Sequence, residues 1–138
     1  MLRSLVIQVS RGTSNNLFQV ATLVRAATAL EARVDVLFCG EALGLLRSGS
    51  INEPVWSTAY SKVIESMQAR LREADFVDMQ RFLRDAKEHG DHVHFWGCTE
   101  TMRERALTLG DFTSLLDGER TIADFTAQAG RADAMLSF

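Results

Sequence analysis

Three short runs of this chain are almost wholly apolar, and each is followed by a stretch with helical periodicity. They are residues 5–9 (LVIQV), 34–39 (VDVLFC) and 92–96 (HVHFW). Continuous, β-branched runs of this length suit strands covered on both faces, as parallel strands are. Between the first two, Leu17, Val20, Ala21, Val24, Ala27 and Leu30 recur with the spacing of a helix face. Strand, helix and strand make a βαβ unit, with parallel strands and a right-handed crossover. Ser14 or Asn15 is expected to cap that helix.

The pattern continues along the chain. Gly40 leads into a short helix over 41–47, and residues 48–58 read as a loop. Helical spacing returns with Tyr60, Val63, Ile64, Met67 and Leu71, and again in a second phase with Met79, Phe82, Leu83 and Ala86. Asp75 is expected to cap the second phase, with Asp78 three residues later. A turn at Gly97-Cys98-Thr99 then leads to a helix near 101–107. Asp117-Gly118 is expected to enter a very short strand. Thr121 and Asp124 form a capping box for a helix ending at Gly130, and residues 132–136 supply the last strand. The expected fold is one α/β domain over 1–138, with a helical insert at about 50–90. It has a mostly parallel sheet of four or five strands, with helices on both faces.

Charge and cysteine content narrow the function classes. The net charge of -3 marks no nucleic-acid or membrane surface. No run is apolar and long enough to span a bilayer. Nor does a signal-peptide core or cleavage site follow Arg3, so a cytoplasmic chain is expected. Two cysteines, Cys39 and Cys98, are too few for a disulfide framework.

Chemistry in open α/β sheets gathers at the C-terminal ends of the strands. There Cys98 leaves a strand through Gly97 and enters a helix. Free N–H groups at a helix start favour a thiolate, the nucleophilic form of cysteine. The plainer account is a small buried residue in a tight turn. Cys39, after Leu37 and Phe38, reads as core. If both cysteine strands flank the first strand, the thiols lie two strand spacings apart, about 10 Å. That exceeds disulfide reach, so no Cys39–Cys98 couple is expected.

Other features weigh less. Residues 11–16 offer a glycine, hydroxyls and amides before a helix, as an anion or flavin phosphate would need. They lack the order of hydroxyls found in flavodoxin phosphate loops. His92 and His94 share a strand face, but with Cys98 they match no zinc spacing, and no metal is expected. Trp96 and Trp56 read as core, or as anchors for a partner.

These residues resemble the DsrE/DsrF-like family, which includes the TusD-type sulfur carriers. The likeness lies in residues 5–9 with the polar loop after them, in 34–42, in 93–98, and most specifically in 125–138, which end AD-x-x-L-S-F. It implies a flavodoxin-like fold, a homo-oligomer (trimer, hexamer or dimer), and transfer of a persulfide sulfur with Cys98 as acceptor. Sulfur donor and acceptor proteins would be the partners, and no cofactor is implied. From their positions in the chain rather than from the resemblance, Arg11 is expected to draw in anionic sulfur species, and the Thr99 and Thr101 hydroxyls to bond the sulfur. The chain departs from the family at Ala106-Leu107, where members often carry glycine. The rival expectations are a non-catalytic binding or assembly subunit, and a flavin- or nucleotide-binding domain.

Overall fold

Parallel pairing and right-handed crossovers leave few arrangements for such a chain. The computed structural model describes residues 1–74, 76, 78–112 and 114–138. Its strands are β1 (Ser4–Val9), β2 (Arg33–Phe38), β3 (Val93–Cys98), β4 (Gly118–Arg120) and β5 (Ala134–Ser137). They form one sheet in the order β4-β3-β2-β1-β5, and every pairing is parallel. The helices are α1 (Ser14–Ala29), α2 (Gly40–Leu45), α3 (Ile64–Glu73), α4 (Met79–Glu88), α5 (Thr99–Glu104) and α6 (Ile122–Ala129). This is the three-layer, flavodoxin-like α/β arrangement expected from the sequence. No helix among the described residues is long and apolar enough to cross a membrane.

The first four strands step one way across the sheet. The chain then returns over the opposite face and sets β5 outside β1. Right-handed connections therefore put α1 and α4 on one face and α6 on the other. The two faces are covered unequally. Under α1 and α4 lies the large core, with Ile7, Val36, Phe38 and Phe95 fully buried. The other face holds a small cluster of Val6, Leu37, Cys39, Cys98 and Phe125. Phe125 is the single buried residue of α6.

Local capping differs from expectation at two places. Thr13, not Ser14 or Asn15, is the N-cap of α1, and its side chain makes no capping bond. Ser14 instead accepts a hydrogen bond from the Val55 N–H at 2.8 Å, and its own N–H donates to the Val55 carbonyl at 2.6 Å. A segment remote in sequence has thus engaged both the hydroxyl and the N–H of Ser14. Asp78 caps α4, accepting from the Arg81 N–H at 2.7 Å; Asp75 lies outside the described residues. Of the 50–90 stretch, α4 buries Met79, Leu83 and Ala86 as an ordinary sheet cover, whereas α3 has no buried residue.

The helix after Cys98 ends in a Schellman motif. Leu107 N–H donates to Met102 O at 2.8 Å and Ala106 N–H to Arg103 O at 3.3 Å. Ala106 stands at the left-handed position, φ 51°, where glycine is free of the Cβ clash. Ala106 is therefore a strained residue. Ala106 is exposed, so no packing is lost in replacing it. Ala106→Gly is expected to stabilise the protein by about 0.5–1 kcal/mol, read as a higher urea midpoint. A lower midpoint would contradict this account of the motif.

Candidate functional site

The site grows from the register of two neighbouring strands. Phe38 and Gly97 are the last pair of the β2–β3 ladder, and Cys39 and Cys98 are the residues that follow them. The expectation of a two-strand gap is overturned, because β3 lies beside β2 and not beside β1. One strand spacing separates the backbones, about 4.8 Å, within the Cα range of a disulfide. Both side chains project to the α6 face, among Val6, Leu37 and Phe125. Both cysteines are free thiols.

Both are also covered. Cys98 is 1% exposed and Cys39 7%. Cys98 is the N-cap residue of α5, but its sulfur does not cap the helix. Instead Sγ donates to Glu100 Oε2 at 3.4 Å, a bond that exists only while the sulfur carries its proton. The Glu100 carboxylate also accepts from the Ile122 N–H, 3.2 Å from each oxygen. One carboxylate thus ties the Cys98 thiol to the first residue of α6. Its own backbone N–H, above all, holds the Glu100 carboxyl below the ordinary value; the Cys98 and Ile122 bonds and Arg103 add to this. Burial, then the neighbouring Cys98, pushes the Cys39 thiol up to about 12.

The other expected site residues scatter. Thr101 does not bond the sulfur. Its hydroxyl accepts from Gly40 N–H at 3.0 Å and so fastens α5 to the start of α2. Gly40 there has φ 51°, a conformation that favours glycine. Thr99 is buried as the first residue of α5. Arg11 is exposed on the loop after β1. The polar loop at 11–16 is a poor phosphate cradle: the Ser14 N–H is taken by Val55, and Gly12 lies against Glu41. Among the described residues, no group of three or more His, Cys, Asp or Glu side chains gathers to hold a metal.

Trp96 belongs to a polar patch on the α6 face. Its indole donates to Asp35 at 2.9 Å, Asp35 pairs with Arg33 at 2.9 Å, and the Arg120 guanidinium lies 4.4 Å from the Trp96 ring centroid. His94 stacks on Trp96 at 5.5 Å, whereas His92 is exposed. A cavity of about 320 Å³ opens here, lined by Arg33, Asp35, Arg120, Gln128 and Arg131 among others. Trp56 is half-buried: its indole N–H is covered, and it lines a separate pocket with Phe18 and Tyr60. Sequence reasoning passed over Glu100 and Phe125. An acid two residues after a strand-end cysteine is a faint signal for the first, and the lone large apolar side chain within 123–129 for the second.

No protein-family model matches the sequence, and no match to it is found among curated proteins. Similarity appears in solved structures. The protein of unknown function MTH1491 from Methanobacterium thermoautotrophicum superposes with a TM-score of 0.59 at 13% identity, over 97% of this chain and 98% of its own. The conserved protein of unknown function BT1422 from Bacteroides thetaiotaomicron gives a TM-score of 0.62 at 12% identity, over 98% and 94%. Near-complete coverage in both directions at so low an identity shows a shared fold.

Proposed function

We propose that the chain is a sulfur-relay protein in which Cys98 accepts a persulfide sulfur and passes it on. The observation that supports this is the placement of Cys98. It ends an inner parallel strand at the edge where such folds bring chemistry, with a second thiol beside it and a thinly attached helix above it. In the forward step the Cys98 thiolate attacks the outer sulfur of a donor persulfide. The Cys98–sulfur bond forms, the donor S–S bond breaks, and the donor leaves as a thiolate. An acceptor thiolate then takes the outer sulfur and Cys98 leaves as a thiolate. The Glu100 bond must open first, and α6 must lift to admit the donor. The reading brings with it donor and acceptor proteins, association of copies as dimer, trimer or hexamer, and a reducing cytoplasm.

A second reading, a non-catalytic binding or assembly subunit, is favoured by one observation: Cys98 is 1% exposed. Intact mass after brief exposure to polysulfide separates the two. Cys39→Ser is expected to gain one sulfur that reductant removes, and Cys98→Ser to gain none. Absence of sulfur on Cys39→Ser would leave the assembly subunit as the better reading.

A further inference from the structure

Two thiols side by side just past the end of one parallel ladder invite a question that one thiol does not. A persulfide on Cys98 would be a disulfide-like bond with a second thiol beside it, on the same face of the sheet. We propose that Cys39 is the resolving thiol of this site, which closes a Cys39–Cys98 disulfide and discharges the outer sulfur as hydrogen sulfide. The inference rests on the relay reading, because it needs sulfur on Cys98.

The step balances without an outside oxidant. Cys39 sulfur attacks Sγ of Cys98. The Cys39–Cys98 bond forms and the bond from Cys98 to the outer sulfur breaks, its electron pair leaving with that sulfur. Cys39 is oxidised, the outer sulfur is reduced, and the Cys39 proton departs with it as hydrogen sulfide. A dithiol reductant then restores both thiols.

Geometry supports closure. The backbones sit one strand spacing apart, within disulfide range. Both thiols also lie in one small buried cluster on the α6 face, with Val6, Leu37 and Phe125. The chemistry sets an order of events. Cys39, pushed up to about 12 chiefly by burial, waits as a neutral thiol and attacks slowly. An acceptor thiolate that arrives promptly takes the sulfur first. Without an acceptor the sulfur is discharged, so a loaded carrier does not persist.

The test follows the mass of wild type, Cys39→Ser, Cys39→Ala and Cys98→Ser after polysulfide loading and removal of excess reagent, with sulfide assayed in parallel. Cys39→Ser and Cys39→Ala are expected to hold the added sulfur on the order of tenfold longer than wild type. Wild type is expected to lose the sulfur, release one sulfide per chain, and end two hydrogens lighter, with Cys39 and Cys98 joined in one peptide. Equally long-lived sulfur on wild type and both Cys39 variants would overturn the resolving role and leave the relay standing. No sulfur on either Cys39 variant would overturn both. Agreement between the serine and alanine variants guards against a folding defect in one.

Discussion

Replacing Phe125 with alanine is expected to speed the reaction of Cys98 with a small aromatic disulfide reagent by about two orders of magnitude. Phe125 is 1% exposed and is the one residue of α6 that is buried. Its ring shares a cluster with Val6, Leu37, Cys39 and Cys98. Removing a buried phenylalanine side chain costs about 3–5 kcal/mol, and here most of that cost falls on holding α6 down. The lower end applies, since a short helix on an open face can settle into the space. Other ties remain: the Thr121 cap on Asp124 N–H at 3.1 Å and the Glu100 bond to Ile122. Stopped-flow thiol titration at native conditions reads the effect. An unchanged rate would mean that α6 is not what shields the sulfur.

Replacing Phe95 with alanine is expected to produce the largest loss of global stability. Phe95 is fully buried under α1 and α4, and meets Phe38 edge-on with ring centroids 5.4 Å apart. Lys87 Nζ sits 5.8 Å from the same ring. The loss should be about 3–5 kcal/mol, a large share of the roughly 5–15 kcal/mol available to a domain. Urea unfolding should show a lower midpoint with little change of slope. A loss below about 1 kcal/mol would mean that the core refills the space. The two substitutions probe opposite faces: one should expose a thiol, and the other should weaken the whole sheet.

The order of elements could be read from the sequence because buried parallel strands announce themselves as short apolar runs, and α1 and α4 as helical stripes. The very short β4 was legible from Asp117-Gly118, and the Thr121 cap from its capping box. Strand neighbours were not legible. Nothing in residues 34–39 or 92–96 says that they lie side by side, and on that fact hangs the whole relation of Cys39 to Cys98. Caps failed where a distant segment competed, as Val55 does at Ser14. Cys98 was legible as a strand-end thiol, but its cover was not. Phe125 comes from a helix that crosses the sheet, and the Glu100 carboxylate reaches Ile122, 22 residues away.

The position of β5 sets the order in which the sheet can be assembled. Leu5 pairs with Val34 on one side and with Ala134 on the other. Each doubling of a closed loop costs about 0.6 kcal/mol, and two doublings separate these closures, so the second is about 1 kcal/mol harder. The strands β1 and β2 can zip while most of the chain is still disordered, whereas β5 closes the larger loop and on average docks later. When it docks, Asp133 accepts the Arg3 and Ser4 N–H groups at 2.7 and 3.0 Å, and Ser10 N–H finds the Phe138 carbonyl at 2.9 Å. Until then β1 shows a bare hydrogen-bonding edge, open to the strand of a neighbouring molecule. The clasp that finishes the native sheet is thus also the place where an unfinished copy is most exposed to mispairing.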